Sequence, residues 1–390
     1  MEGVVPVSPF REFNASSGAD VSFEEKVRSI PEKANVDFVV AVSPENFWYV
    51  SQCHLISVEK VRSRQAFAIL PRRGDPVLLV PAADRETAIE ESWIGDVRAY
   101  TEFMEHPMDA LASILKSMGL EKGKLGLDLM YLPHASWVRF QRLLPDAEIL
   151  DTTDEIAEER ALKSEREVMS VESAARATYE AAAESMAAAR SGDSAEAMAT
   201  HVRQKLIEKG ATSISFLFLG TRPRTALAHG TTRSRVPGAS EILCLHCGGS
   251  FGMWNSDLAR VYSTGNPSAV QRKAYRDVRG IQEETIAAVR PGISAEEIFF
   301  RSKAAYARRN RGFTLSHVGH GLGIELREYP VLRPGNQRLI EKTMVLSVAA
   351  SLRDQFGSVY RLEDSVLVSA EGTRVLSPGP APDEIPTIGR

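Results

Sequence analysis

The 390-residue sequence has few cysteines and no long apolar run. Its cysteines, Cys53, Cys244 and Cys247, are odd in number and offer no disulfide framework of the kind that stabilises small secreted domains. Cys244 and Cys247 have the spacing of a zinc half-site, but both lie in an apolar run, which favours small buried thiols over metal ligation. No run of about 18 consecutive apolar residues occurs, so no membrane-spanning helix is expected.

Secretory and nucleic-acid-binding signals are lacking as well. The amino terminus has no basic start followed by an apolar core, which predicts a cytoplasmic protein. The 47 Lys and Arg are outnumbered by 51 Asp and Glu, the formal net charge is -4, and no stretch combines basic with aromatic residues. We therefore expect a small-molecule substrate, no nucleic acid and no membrane partner.

What is present indicates two globular domains. The chain is too long for one ordinary core, and 43% of its residues are hydrophobic while 25% are charged. Residues 1–20 are rich in Pro, Ser and Gly and predict an arm or a disordered lead-in. Residues 21–158 alternate β-rich runs with helical pieces, which is typical of an α/β domain. The second domain is predicted to span residues 159–390.

The second domain contains an internal repeat. Ser164 to Glu167 form a capping-box pattern that opens a long helix, which Gly192 ends. Each copy has two helices followed by an apolar run, residues 213–219 in one and 313–318 in the other. This pattern predicts a pseudo-two-fold α/β domain with helices over a sheet and a cleft between its halves.

Three residues of this domain suggest a polar site. His320 lies between glycines after a β-rich run, and Asp257 and Glu363 lie in separate β-like segments. Each carboxylate taken alone is compatible with a surface charge or an ion pair, so the candidate site depends on the three occurring together.

Taken together, these motifs resemble the pita-bread family of methionine aminopeptidase, prolidase, aminopeptidase P and creatinase. Residues 46–49, Asn-Phe-Trp-Tyr, are similar to an element of the creatinase-type amino-terminal domain, and residues 162–167 are similar to the opening of the catalytic domain. The resemblance implies a creatinase-type α/β domain followed by a pseudo-two-fold pita-bread domain, with two chains pairing as a homodimer.

The resemblance also implies a set of metal ligands, which this chain keeps only in part. Metal-dependent members use two Asp, one His and two Glu, and this chain matches Asp257, His320 and Glu363. His246 and Ala349 occupy the other two positions. Alanine cannot ligate a metal and a bridging carboxylate is what holds two ions together, so we expect the two-metal site to be lost and no cofactor to be required. One ion bound by His246, His320, Asp257 and Glu363 is the alternative.

The main functional hypothesis follows from metal-free relatives such as creatinase and ectoine hydrolase. It is a metal-independent hydrolase of a C–N bond in a small carboxylated guanidino, amidine or amide compound. His229 matches the catalytic histidine of creatinase and is the expected acid-base group, with His246 as a second base. Glu363 and Asp257 would orient the cationic part of the substrate, and His320 completes the expected catalytic set.

Four further residues are expected to bind substrate. Arg327 stands where peptidases of the family have a second substrate-side histidine, and Glu328 follows it. Arg361, close to Glu363, offers a second planar donor for a carboxylate, unless either arginine forms an internal ion pair. Arg64 is the nearest match to a basic residue that reaches the partner subunit's site in creatinase. His317 is expected to be structural.

Two other functions stay open. One is a divergent Xaa-Pro dipeptidase or a lyase with one metal ion. The other is a non-catalytic pseudo-peptidase whose cleft binds a peptide or a protein. The kept residues Asp257, His320 and Glu363 argue against the second of these.

Overall fold

A computed structural model describes residues 21–61, 63–120, 122–221 and 230–388. The predicted arm at residues 1–20 and the predicted catalytic His229 lie outside these ranges. Within them the chain forms two separate compact units, residues 21–160 and 161–388. No helix in these ranges is long and apolar enough to cross a membrane.

The first unit is an α/β domain built on a mixed six-stranded sheet. Its strands are β1 (Phe38–Ala41), β2 (Phe67–Pro71), β3 (Val77–Pro81), β4 (Asp96–Tyr100), β5 (Lys124–Leu127) and β6 (Glu148–Asp151). Their order is β4-β3-β2-β1-β5-β6. Its helices are α1 (Val21–Arg28), α2 (Ile30–Lys33), α3 (Pro44–Ser51), α4 (Ile56–Lys60), α5 (Arg85–Glu91), α6 (Pro107–Ser117), α7 (His134–Leu143) and α8 (Thr153–Ala161). Strands β1 and β2 are almost fully buried, which explains their continuous apolar runs.

The Asn-Phe-Trp-Tyr element is a structural tie inside this unit. The Asn46 amide donates to Asp128 Oδ2 at 2.9 Å and its carbonyl accepts from Arg160 Nη1 at 2.7 Å. The Tyr49 hydroxyl donates to the Glu159 carbonyl at 3.3 Å. The motif therefore fixes the start of α3 against α8 and the residue after β5, and the side-chain polar atoms of Asn46 and Tyr49 are hydrogen-bonded within the fold.

The second unit contains a large antiparallel sheet. Its strands are β7 (Ser213–Gly220), β8 (Ile242–Phe251), β9 (Trp254–Asn255), β10 (Leu258–Ser263), β11 (Gly319–Gly321), β12 (Glu328–Val331), β13 (Val345–Arg353), β14 (Val359–Ser369) and β15 (Gly372–Val375). The main path is β12-β11-β13-β14-β10-β8-β7, with β9 pairing β8 and β15 pairing β14. Its helices are α9 (Glu165–Ala188), α10 (Ala195–Glu208), α11 (Ala269–Ala288) and α12 (Ala295–Arg308).

Two helix pairs cover one face of this sheet. Leu243, Leu245 and Cys247 of β8 pack in one core with α9 and α10, and a second core joins α11 and α12 to β13 and β14. Because side chains alternate along a strand, residues 244 and 246 of β8 point to the opposite face. Cys244 and Cys247 are thus buried on opposite faces of β8, which rules them out as a joint zinc half-site.

The predicted start of the long helix at Ser164 is confirmed, but one of the predicted strands does not form. Ser164 and Glu167 make the reciprocal bonds of a capping box at the start of α9, as expected. Residues 213–219 lie in β7, whereas residues 313–318 belong to no strand and β11 begins only at Gly319. Phe313 and Leu315 pack against the core, so apolar and polar side chains do alternate along this segment. In the described part of the chain the segment does not join a β-ladder with a neighbouring strand, and it is therefore not a β-strand.

Candidate metal centre

The face of the second sheet opposite the two helix pairs carries a row of four residues on four adjacent strands. His246 of β8 lies opposite Ala259 of β10, Ala259 lies opposite Glu363 of β14, and Glu363 lies opposite Ala349 of β13. Directly opposed residues of antiparallel strands point to the same face. The small Ala259 side chain therefore separates His246 from Glu363 without filling the space above the sheet.

Three donor atoms converge over this row. His246 Nε2 lies 3.0 Å from Asp257 Oδ1 and 3.2 Å from Glu363 Oε2. All three side chains are buried, and one ligand atom from each lies within 4.8 Å of the others. The sequence spacing of these residues did not reveal how close they are, because the sheet pairing joins segments more than 100 residues apart.

Asp257 is positioned by the residue before it. The Ser256 hydroxyl lies 2.6 Å from the Thr178 hydroxyl of α9, accepts from Gly249 N at 2.9 Å and donates to Gly249 O at 3.0 Å. These bonds close the turn through β9 and leave Asp257 pointing at His246.

The charges of the cluster are mutually dependent. Burial alone would lower the pKa of His246, but hydrogen bonds to Asp257 and Glu363 outweigh it and raise that pKa to about 9. Burial raises the pKa of Glu363, but Arg361, His246 and His320 together hold it well below its usual value. In the absence of another cation the imidazole is therefore protonated and neutralises the carboxylates.

Both oxygens of Glu363 are held by neighbours. Arg361 donates to Oε2 through Nε at 2.9 Å and Nη2 at 2.7 Å, and the Ser347 hydroxyl donates to Oε1 at 2.9 Å. Arg361 was expected to bind a substrate carboxylate, and its guanidinium is instead committed to Glu363. Ser347 was not among the predicted site residues, although it lies two residues before Ala349 on β13 and so faces the same side of the sheet.

His320 lies on β11, beside the part of β13 that carries Ser347. It pairs with Ser347 of β13, and its Nδ1 lies 2.9 Å from the carbonyl of Gly321. Because a carbonyl oxygen only accepts, that contact places a proton on Nδ1, and Nε2 lies 3.7 Å from Asp257 Oδ2. The glycines are required for close packing, because a Cβ at Gly321 would lie 2.1 Å from the Tyr329 carbonyl oxygen.

Phe216 packs against the other side of His246. The two ring centroids are 4.5 Å apart, and β7 has a register irregularity between residues 214 and 216. In the described part of the chain His246 Nδ1 is buried and has no hydrogen-bond partner. The Phe216 ring thus packs against the imidazole, and Nε2 is the imidazole nitrogen that faces Asp257 and Glu363.

An ion pair on the helix-covered face supports the strands below the cluster. Arg260 donates to Asp364 Oδ1 at 2.5 Å and to the Glu363 carbonyl at 3.0 Å, and Gln282 of α11 also donates to Asp364 at 3.0 Å. This pair fixes β10 against β14 at Ala259 and Glu363. Sequence reasoning did not single out Arg260, although it lies three residues after Asp257.

The remaining predicted site residues lie elsewhere or have other partners. Arg327 is exposed, and burial together with its charge lowers the pKa of the neighbouring His317 to about 4. Glu328 was expected to bind substrate, but its carboxylate accepts from Lys163 Nζ at 2.7 Å and both side chains are buried. Arg64, in the first unit, pairs with Glu102 at 2.8 Å. His229 lies outside the described residues.

Comparison with known proteins identifies the family. The model of the family described as Metallopeptidase family M24 matches residues 170–370, and that of the Creatinase/Prolidase N-terminal domain matches residues 25–162. The chain belongs to metallopeptidase family M24. Similar M24 proteins include an Xaa-Pro dipeptidase of Pyrococcus horikoshii, 25% identical over 359 residues, which are 90% of this chain and 97% of that protein.

Solved structures show the same fold. An Xaa-Pro dipeptidase from Bacillus anthracis has a TM-score of 0.84 and 21% identity, covering 94% of this chain and 99% of that one. A prolidase from Pyrococcus horikoshii OT3 has a TM-score of 0.80 and 22% identity, covering 92% of this chain and 99% of that one. The pita-bread architecture expected for the M24 chain is confirmed.

These comparisons overturn the main functional prediction. The family is a metallopeptidase family and its similar members are named Xaa-Pro dipeptidases, so the predicted metal-independent, creatinase-like hydrolysis of a small non-peptide compound is wrong. The prediction that no metal is needed is wrong for the same reason. Its error was to infer a metal-free enzyme from the changes at His246 and Ala349 and to keep one ion bound through His246 only as the alternative. Imidazole is nevertheless a metal ligand, and His246, Asp257 and Glu363 form a group of three potential donors.

The residues present fit a divalent ion in their chemistry. One imidazole nitrogen and two carboxylate oxygens are a common donor set, and donors on one ion with bonds of about 2.0–2.2 Å lie roughly 3 Å apart. The separations of 3.0 and 3.2 Å from His246 Nε2 agree with that spacing.

Proposed function

We propose that the chain is a divalent-ion-dependent peptidase that cleaves Xaa-Pro dipeptides. The observation that carries the proposal is the buried convergence of His246, Asp257 and Glu363 on one face of the sheet. The names of the similar proteins supply the substrate class, and the expected alternative of an Xaa-Pro dipeptidase with one metal agrees with it.

The proposed mechanism divides the work among the described residues. His246, Asp257 and Glu363 would hold the ion, which when bound polarises a carbonyl oxygen and makes water a better nucleophile. Arg361 and Ser347 keep the Glu363 carboxylate in one orientation and ionised. His320 donates from Nδ1 to the Gly321 carbonyl and turns its Nε2 towards Asp257, where the imidazole can take part in hydrogen bonding or proton transfer.

We assign the free carboxylate of the dipeptide to Arg327. Arg361 donates from both Nε and Nη2 to Glu363, whereas the Arg327 side chain is exposed. The charge of Arg327 acts on His317, whose ring centroid lies 6.1 Å from that of His320. A guanidinium near these rings offers a planar pair of donors for a carboxylate.

The proposal is tested by peptidase assays on chelator-treated protein. Xaa-Pro dipeptides, and matched dipeptides with alanine in place of proline, are offered with Mn²⁺, Co²⁺, Zn²⁺ or no ion. We expect hydrolysis of the dipeptide, measured as release of its carboxyl-terminal amino acid, only with an added ion and only in the proline series. Replacing Glu363 with Gln should lower kcat/KM by at least roughly 100-fold, because even residues that merely support metal ligands cost 10–100-fold.

The matched control is Glu297→Gln on α12, whose half-exposed side chain pairs with Arg301. It should leave kcat/KM unchanged. Absence of proline release with every ion would refute the proposed function. Pairing of two chains and a cytoplasmic location belong to the same proposal, and analytical ultracentrifugation of the purified protein would test the pairing.

A further inference from the structure

The number of carboxylates at the centre limits how many cations it can hold. Two ions bring four positive charges, but Asp257 and Glu363 supply two negative charges between them. Arg361 is bound to Glu363 and offsets part of that charge. Divalent ions in paired sites lie roughly 3.5–4 Å apart, a separation at which a buried pair needs bridging anions to offset its repulsion.

The two carboxylate oxygens of Asp257 face different neighbours, His246 on one side and His320 on the other. The two sides differ in the potential metal ligands that they offer. Its Oδ1 faces His246 at 3.0 Å, with Glu363 Oε2 beside it. Its Oδ2 faces His320 at 3.7 Å, and there Ser347 donates its hydroxyl to Glu363 Oε1. Ala349, which lies opposite Glu363, adds a methyl group and no donor.

The close grouping of potential metal ligands also differs between the two sides. Among the described residues, His246, Asp257 and Glu363 have ligand atoms within 4.8 Å of one another, and His320 is not in that group. The His246 side therefore offers three donors with two carboxylate charges. The His320 side shares those same carboxylates and adds an imidazole and the Ser347 hydroxyl, but no further carboxylate.

We infer that this centre takes one divalent ion, on the His246 side, and has no place for a second. The inference rests on the proposed function and specifies its cofactor. Because one donor is an imidazole nitrogen, the ion is a first-row transition ion such as Zn²⁺, Mn²⁺ or Fe²⁺ rather than Mg²⁺ or Ca²⁺, which prefer oxygen ligands.

The test counts ions rather than turnover. Chelator-treated protein is dialysed to equilibrium against Mn²⁺, and bound metal per chain is measured by elemental analysis. We expect one ion per chain and the electron paramagnetic resonance spectrum of an isolated Mn²⁺ ion. The double variant His246→Asp/Ala349→Glu, which restores two carboxylates, should bind two ions and give the spectrum of a coupled pair.

Two matched variants locate the ion. His246→Ala should lower the bound metal to below half an ion per chain under the same conditions, an expected loss of roughly tenfold or more in affinity. His134→Ala, at an exposed histidine of α7, should still bind one. A wild-type protein that binds two ions or none overturns the inference, as does a His246→Ala variant that binds one ion as tightly as wild type.

These results are separable from those of the peptidase assay. One bound ion without proline release would leave the inference standing and refute the proposed function. Proline release by a protein that holds two ions would support the proposed function and refute the inference of a single ion. Because the wild-type count requires no substitution, misfolding of a variant cannot remove the test.

Discussion

His246 and Glu363 contact each other across the side chain of Ala259, with Nε2 of the imidazole 3.2 Å from Oε2 of the carboxylate. The contact joins strands β8 and β14, which are not neighbours in the sheet. It depends on a residue between them that is no larger than alanine. The metal-free centre therefore contains its own positive charge, and that charge must leave before an ion can bind His246 Nε2.

The His246 charge predicts a specific pH dependence for the stability of metal-free protein. Its pKa is about 9 when folded and near the ordinary 6.5 when unfolded. The stabilisation is fully present below pH 6.5 and is lost as the pH rises through about 9. A shift of this size corresponds to roughly 3 kcal/mol at 1.36 kcal/mol per pKa unit. Urea unfolding between those pH values measures it.

The comparison uses the variant His246→Gln, which cannot be protonated. The wild-type free energy of unfolding should fall more steeply with pH than that of His246→Gln, whereas His201→Ala, on helix α10, should follow wild type. Parallel curves for wild type and His246→Gln would show that folding does not raise the pKa of the imidazole.

A second prediction concerns the packing that orients His246. A Cβ at Gly248 would lie 2.2 Å from the Ser256 carbonyl oxygen and 2.6 Å from Phe216 Cε1. Gly248→Ala must therefore displace Phe216 and the turn before Asp257, at a cost of about 1–3 kcal/mol. Thermal unfolding measures the cost, and the affinity for Mn²⁺ should fall with it.

Gly312→Ala serves as its control, because an added Cβ there meets no atom within 4 Å. That change should be neutral or slightly stabilising. If Gly248→Ala binds Mn²⁺ as well as Gly312→Ala does, Phe216 has no part in positioning the imidazole.

Local patterns predicted much of this fold, and long-range register accounts for most of the errors. The capping box at Ser164 and the helix pairs follow from residues close in sequence, and they formed as expected. The row from His246 to Ala349 depends on pairings between segments far apart in the chain. The sequence placed His246 and Ala349 at two ligand positions, and the expected loss of the two-metal site was extended to a metal-independent enzyme, while one ion bound through His246 was only the alternative.

Side-chain partners are a second property that the sequence leaves open. Arg361 and Glu328 were expected to face a substrate because their residue types suit that task. Their charges are instead satisfied inside the protein, by Glu363 and Lys163. Either role fits the residue type alone, and only the three-dimensional contacts distinguish between them.

The buried ion pair of Lys163 and Glu328 gives the third prediction. The side chains are 1% and 3% exposed, and Glu328 Oε1 also accepts from the amides of Ile324 at 2.9 Å and Glu325 at 3.2 Å. Lys163→Met would remove the Lys163 cation from a buried carboxylate, and breaking a buried pair in this way typically costs about 3–5 kcal/mol. We expect a loss of about that size in urea unfolding. Because Glu328 holds the loop that carries Arg327, KM for Xaa-Pro dipeptides should rise more than kcat falls.

Two further variants separate the pair from its surroundings. Lys273→Met breaks an exposed pair, in which the lysine side chain is 62% exposed, and should cost less than about 1 kcal/mol. The double variant Lys163→Met/Glu328→Gln removes both charges and should recover part of the stability lost in Lys163→Met, since no buried charge is left unpaired. If the two single lysine variants cost the same, the Lys163–Glu328 pair is solvated and does not order the loop. A recovery of stability without recovery of KM would instead show that the charge of Glu328 itself positions Arg327.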